Sequence, residues 1–403
     1  MNPLTGIVEP PPKITPRGLR SKALAPVYKP LTDSVFVRGE GVYLWDADGT
    51  QFLDLTSGIG VLALGHASEV VRQALTEAAT RPLHTSNLIL TEPPARLADA
   101  LTDRSFADHV FFANSGTEAN EGAIKFARHA TPDTKQTVVY FDRSFHGRTY
   151  ASLAATDRLN KAKEFGPLPS GFRPAPWNCE EAYALIDEST AAVLVEPVQG
   201  EGGVRPASTT WLRGLRARCD EVGALLIFDE VQCSVGRTGT LWAYEQSGVQ
   251  PDLLTAAKPL AGGLPIGAVL MTAQVAEQLK PGCHGSTFGG GPAVTHVACA
   301  VLEHVSDEAF LAEVRRKGGV LMRHLQELNA SCIQGIHGQG LMIGATVRVS
   351  PSRILKAAVE ENLLLTAAGE NVIRFLPPLI ISDEEIEEAV KRFDAALTRS
   401  ERE

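Results

Sequence analysis

Lys258 closes the apolar stretch Leu253 to Ala257 and precedes a Gly/Pro-rich bend running from Pro259 to Pro265. No carboxylate stands at helical spacing to pair with it. An ammonium held out of bulk water loses part of its preference for the proton, and the neutral amine attacks carbonyls. The alternative is a solvated lysine at a strand end. Asp229 ends the apolar run Leu225 to Phe228, where an ionised carboxylate is costly unless its charge is answered. Ser115, Gly116 and Thr117 follow the run Val110 to Phe112 and open a helix, offering two hydroxyls and free backbone N–H groups at a positive helix end. That arrangement suits a phosphate, or it is a plain N-cap. Arg148, in Phe145-His146-Gly147-Arg148, can fork onto a carboxylate or serve as a surface arginine. Gly285 to Gly291 is a second Gly-rich loop with hydroxyls, at Ser286 and Thr287, or a linker.

Two other nucleotide chemistries fail on pattern. The run ending in Asp229-Glu230 imitates the magnesium strand of an ATPase, but no Gly-x-x-x-x-Gly-Lys-[Ser/Thr] stretch occurs. Gly338-Gln339-Gly340 imitates a dinucleotide loop, yet a strand pattern follows it where a helix is needed. Ten histidines without ligand spacing and six scattered cysteines without a Cys-x-x-Cys pair give no metal site and no disulfide frame. Reduced thiols predict a cytoplasmic location. A net charge of −9 argues against a nucleic-acid partner. No apolar run reaches the length of a membrane span, and the Pro-rich start (Pro10 to Pro12) has no signal core.

These residues need a scaffold. Short apolar runs (Val110–Phe112, Val138–Phe141, Ala192–Val195, Ala224–Phe228, Leu253–Ala256, Gly267–Met271) alternate with helical patterns such as Glu118–Arg128 and Trp211–Glu221. That alternation predicts an α/β fold, a mostly parallel sheet flanked by helices, with ligands at the strand ends. Val35 to Leu55 reads as a small antiparallel unit turned at Asp48-Gly49. Leu341–Val347 and Val372–Leu376 read as strands among helices. At 403 residues two lobes are expected. The division is a flexible arm over 1–30, a large domain over 65–292, and a small α+β domain assembled from 31–64 and 293–403.

Taken in order, six segments resemble the class III pyridoxal-phosphate-dependent aminotransferases, from about Val35 to Leu379. They are Asn114-Ser115-Gly116-Thr117-Glu118, Phe145-His146-Gly147-Arg148, Glu196-Pro197-Val198-Gln199-Gly200-Glu201, Phe228-Asp229-Glu230-Val231-Gln232, Ala257-Lys258-Pro259, and Gly285-Ser286-Thr287-Phe288-Gly289-Gly290. The resemblance implies a fold type I transferase holding pyridoxal 5'-phosphate. It makes Lys258 the Schiff-base lysine and then the proton carrier, with Asp229 on the pyridinium nitrogen. Val231 and Phe145 would pack on the two ring faces, and Gln232 would contact the ring hydroxyl. Ser115, Gly116 and Thr117 would hold the phosphate, joined by Thr287 from the neighbouring subunit of a homodimer. Arg148 would bind the donor α-carboxylate, and Glu201 with Arg374 would form a switch pair serving an amino donor and 2-oxoglutarate in turn. Ser57 to His66 and His84 to Leu88 look most like the acetylornithine branch, which implies N2-acetylornithine as donor and a step of arginine biosynthesis. Relatives acting on ornithine, succinylornithine, succinyldiaminopimelate or carrier-bound lysine are the alternatives. The chain departs from that branch at Gly60-Val61-Leu62, Ala261 and Gly291.

Overall fold

The computed structural model describes residues 24–157, 162–328 and 330–402. The Pro-rich stretch of the expected arm lies outside them. Among the described residues, seventeen strands run in chain order. They are β1 (Phe36–Glu40), β2 (Tyr43–Asp46), β3 (Gln51–Asp54), β4 (His109–Ala113), β5 (Thr137–Phe141), β6 (Phe172–Ala175), β7 (Thr190–Val195), β8 (Val198–Gln199) and β9 (Arg205–Pro206). There follow β10 (Leu225–Asp229), β11 (Leu253–Ala256), β12 (Gly267–Met271), β13 (Ile333–Gln339), β14 (Met342–Val347), β15 (Leu363–Leu364), β16 (Thr366–Ala368) and β17 (Val372–Phe375).

Seven strands build the central sheet in the order β4-β12-β11-β10-β7-β5-β6. Only β12 runs against its neighbours; β11, β10, β7, β5 and β6 pair in parallel. The sheet is therefore mostly parallel, as the spacing of apolar runs predicts. Strands β7, β11 and β12 are buried at every position, which is why they read as nearly unbroken apolar runs.

The Gly116–Ala130 helix packs Ala119, Ala123, Ile124, Phe126 and Ala127 against Val138, Ala192, Leu194, Ile227 and Val269 of that sheet. Its start is fixed by a reciprocal cap: Ser115 Oγ accepts from Glu118 N at 3.3 Å, and Glu118 Oε2 accepts from Asn114 N at 3.0 Å.

Strands from distant parts of the sequence join elsewhere. β15 pairs in parallel with β3, extending the β1-β2-β3 antiparallel unit. A second antiparallel sheet runs β13-β14-β17-β16. Between them, Leu376 N donates to Leu55 O at 2.8 Å, Leu379 N to Ala63 O at 2.8 Å, and Ser57 Oγ to Leu376 O at 2.7 Å. The turn beginning at Ser57 is left-handed over four residues, with φ of 42° at Ser57, 65° at Gly58, 66° at Ile59 and 83° at Gly60. A β-branched residue is disfavoured there by about 1–2 kcal/mol. Asp54 Oδ1 supports the turn by accepting from Thr56 N and Ser57 N at 2.8 and 3.2 Å, while its other oxygen meets His66 Nε2 at 2.8 Å.

Candidate active site

The carboxyl ends of the parallel strands converge on one cavity of about 300 Å³. Strand β10 delivers Asp229, 3 % exposed. Its Oδ2 accepts from Asn120 Nδ2 and His146 Nδ1, both at 2.7 Å, and its Oδ1 accepts from Val231 N at 3.0 Å. Three donors answer the charge that the strand buries. Asn120 is itself fixed, accepting from Thr255 Oγ1 at 2.7 Å and donating to the His146 carbonyl at 2.7 Å. His146 Nε2 is buried with no hydrogen-bond partner among the described residues.

Strand β11 leads through Ala257 into one 3-10 turn that begins with Lys258. Burial lowers the pKa of its ammonium, with Arg374 acting the same way and Glu201, Asp229 and Glu196 opposing. The neutral amine is thus more available than on a surface lysine.

Strand β7 delivers Glu196, whose oxygens accept from Phe145 N at 2.9 Å and Gly200 N at 3.1 Å. Burial, with Asp229 nearby, pushes this carboxyl up to about 7, against the pull of His146. Glu230 turns away from the cavity and accepts from Ala243 N and Tyr244 N at 2.6 and 2.8 Å. Burial pushes it up to about 8.

Arg374 comes from β17, flanked by Gly344 of β14 and Thr366 of β16. It is 2 % exposed. Its Nη1 lies 2.6 Å from Glu201 Oε1 and donates to Gln232 Oε1 at 3.1 Å, and its Nε donates to Thr366 Oγ1 at 3.2 Å. The Gln232 Nε2 is buried without a partner among the described residues. Gly200 is required opposite, because a Cβ there would run into the Gln232 amide.

At the helix start, a Cβ on Gly116 would meet Val231 Cγ1 at 2.5 Å, so only glycine lets the two touch. Thr117 Oγ1 meets Thr149 Oγ1 at 2.8 Å and Ser152 Oγ at 2.7 Å, and accepts from Arg148 N at 3.2 Å. The Arg148 guanidinium is 5.9 Å from the Phe145 ring centroid.

Of the residues singled out by sequence, Gly116, Thr117, Phe145, Arg148, Glu201, Asp229, Val231, Gln232 and Lys258 line the cavity. Arg374 stands behind Glu201 and Gln232, and Ser115 caps the helix. Thr287 is not among the lining residues and sits on an exposed loop.

A buried lysine amine, a buried carboxylate and a glycine-floored helix start, at the ends of β11, β10 and β4, now stand beside a sequence match: the family model described as Aminotransferase class-III covers residues 24–397. The chain belongs to the class III aminotransferases. Members of this family are pyridoxal-phosphate-dependent enzymes that take an amino donor and a keto acid. The chain is 47 % identical to the acetylornithine aminotransferase of Rhodobacter capsulatus, over 90 % of this chain and 94 % of that protein. It is 45 % identical to the succinylornithine transaminase of Salmonella newport, over 93 % of this chain and 95 % of that one. Among solved structures, the ornithine aminotransferase of Toxoplasma gondii ME49 matches with a TM-score of 0.89 at 31 % identity, over 96 % of this chain and 94 % of that chain.

Within this class III site, Asn120, His146, Gly147 and Glu196 also line the cavity, though sequence reasoning gave them no role. Asn120 carried a readable signal. It lies on the helix face shared with Ala119, Ala123 and Ala127, and a polar residue on a buried apolar face needs a partner. His146 and Glu196 stood inside motifs, but their convergence on Asp229 is tertiary.

Proposed function

We propose that this aminotransferase moves the terminal amine of N2-acetylornithine to 2-oxoglutarate, giving N-acetylglutamate 5-semialdehyde and glutamate in two alternating half-reactions. The observation that carries this reading is the Glu201–Arg374 pair beside Lys258. A donor reacting at a terminal amine brings no carboxylate beside its reacting carbon, so Arg374 must be neutralised, and Glu201 does so. The keto acid brings its own carboxylate, and Glu201 gives way.

The cavity suits pyridoxal 5'-phosphate. It offers a buried carboxylate for a protonated ring nitrogen, an unpartnered amide donor for the ring oxygen, a glycine-floored helix start for the phosphate, and an amine of lowered pKa. In this reading Asp229 would hold the ring nitrogen, Val231 and Phe145 would pack on the ring faces, and Gln232 Nε2 would donate to the ring oxygen. Ser115, Gly116 and Thr117 hold the phosphate. When bound, the cofactor supplies an aldehyde for the amine and an electron-withdrawing ring. Lys258 then carries the proton from the reacting carbon, a task suited to an amine with a depressed pKa. Arg148, at the cavity rim, orients the donor through its α-carboxylate.

The similarity of the succinylornithine transaminase supports a second reading, in which the donor's acyl group is succinyl. Gly60 lies beside Leu376 and Gln232, and in either reading this small-residue turn faces the donor's acylated α-amine. A donor panel with 2-oxoglutarate decides: N-acetylornithine is expected to give the highest kcat/KM, and a preference for free ornithine would remove the acyl assignment. The cofactor assignment has its own test. Borohydride is expected to fix a yellow chromophore on the wild-type enzyme and none on Lys258→Ala; fixation on the variant would displace Lys258.

A homodimer with shared sites belongs to the same reading. Leu88, Ile89, Leu90 and Phe288 are exposed around Thr287, and Asn87 ties the two segments by donating to Ser286 O and Gly289 O at 2.8 and 3.1 Å. Such a patch calls for a partner surface, and a second copy would bring Thr287 to the phosphate. A monomeric mass for the active enzyme in light scattering would exclude this. Among the described residues no helix is long and apolar enough to cross a membrane. We place the enzyme in the cytoplasm, where its described cysteines, all free, remain reduced.

A further inference from the structure

We propose that Thr366 is a positioning residue for the keto-acid half-reaction, acting through Arg374. The inference rests on the reading of Glu201 and Arg374 as the switch pair.

Arg374 has three named acceptors of two kinds. Glu201 is anionic, and it neutralises as well as binds. Gln232 Oε1 and Thr366 Oγ1 are neutral, and they orient the guanidinium without cancelling its charge. They grip it at two different nitrogens, Nη1 and Nε, which fixes the plane of the fork. When Glu201 leaves, a buried guanidinium on a flexible stem would lose its orientation unless the neutral acceptors remain.

Thr366 is built into this position. It is the cross-strand partner of Arg374 between β16 and β17, and directly paired residues project on the same sheet face. On the other side Arg374 pairs with Gly344, which has no side chain to compete. Thr366 does not line the cavity, so its reach into the chemistry is through Arg374 alone. An arginine pre-aimed by neutral acceptors binds an incoming carboxylate with less ordering to do. The donor half-reaction is insulated, because Glu201 is then in place and its ion pair holds Arg374 with or without the Thr366 hydroxyl.

The test uses the loaded enzyme and the variants Thr366→Val, Thr366→Ala and Thr366→Ser. Calorimetry measures the Kd of glutarate, a dicarboxylate without a reactive carbonyl, and steady-state kinetics measures KM for 2-oxoglutarate and for N-acetylornithine. Loss of one neutral acceptor is expected to weaken glutarate, and to raise KM for 2-oxoglutarate, by about five-fold. The N-acetylornithine KM should stay within about two-fold, and Thr366→Ser should restore both acid constants. Thr366→Ala gives the same comparison should the valine variant misfold. Equal rises for both substrates, unchanged acid constants, or no rescue by serine would overturn the proposal. Wild-type enzyme that does not bind glutarate would sink the switch-pair reading itself, and this inference with it.

Discussion

Replacing Glu201 by glutamine is expected to separate the two half-reactions. The Arg374 guanidinium is 2 % exposed and its Nη1 lies 2.6 Å from Glu201 Oε1. Two unit charges with centres about 4 Å apart interact by about 4 kcal/mol at an effective dielectric of roughly 20. Glu201 keeps 21 % of its side chain exposed, and glutamine retains a neutral hydrogen bond, so about half of that energy, ~2 kcal/mol, is at stake. With N-acetylornithine bound, Glu201→Gln leaves a buried cation facing a methylene chain, and donor kcat/KM should fall by roughly 30-fold. With 2-oxoglutarate, the substrate no longer competes with an internal carboxylate, and its kcat/KM should hold or rise. Stopped-flow absorbance of the cofactor follows each half-reaction alone. Equal losses in both, or a larger loss with the keto acid, would refute the reasoning.

Two further outcomes follow from the buried polar groups. Asn120→Ala removes one of three donors to Asp229 and strands the Thr255 hydroxyl. It should destabilise the fold by about 3 kcal/mol and weaken pyridoxal phosphate at least ten-fold, read by denaturant melts and cofactor titration; an unchanged cofactor Kd would show that Asp229 does not depend on this contact. Glu196 titrates in the folded chain near 7, above its ordinary value of 4.5. Its contribution to stability is therefore complete below about pH 4.5 and lost as pH rises through 7. The apoenzyme's unfolding free energy should fall over that window, and Glu196→Gln should remove up to about 3 kcal/mol of that fall, read by denaturant melts at each pH; identical pH profiles would mean that the carboxyl titrates normally.

The sheet was legible in the sequence because its inner strands are buried on both faces and bounded by turns. The exceptions have physical causes. β6 (Phe172–Ala175) contains Pro174, which reads as a strand breaker, yet it lies at the sheet edge, where a missing N–H is tolerated. β13 (Ile333–Gln339) contains Gly335 and Gly338 and lacks an apolar alternation, and only its pairing with β14 makes it a strand. In the site, Asp229 declared itself by ending an apolar run, but its neighbour Glu230 carried the same signal. Successive strand side chains point to opposite faces, so one of the two had to turn away, and sequence does not say which. The Glu201–Arg374 contact came from the family resemblance, since no periodicity spans their separation. Thr366 gave no signal, because its role exists only across the β16–β17 register.

The parallel pairing of β15 with β3 joins residues roughly three hundred positions apart. Leu53 has no partner on that side until Leu363 has been synthesised, and the turn at Ser57 is not pinned until Leu376 arrives. Domains fold as they emerge, early segments first. The Asp229 and Lys258 end of the pocket can therefore assemble on the growing chain, while the wall that sorts one substrate from the other must wait. A nascent chain of this enzyme is expected to gain its cofactor site before its selectivity.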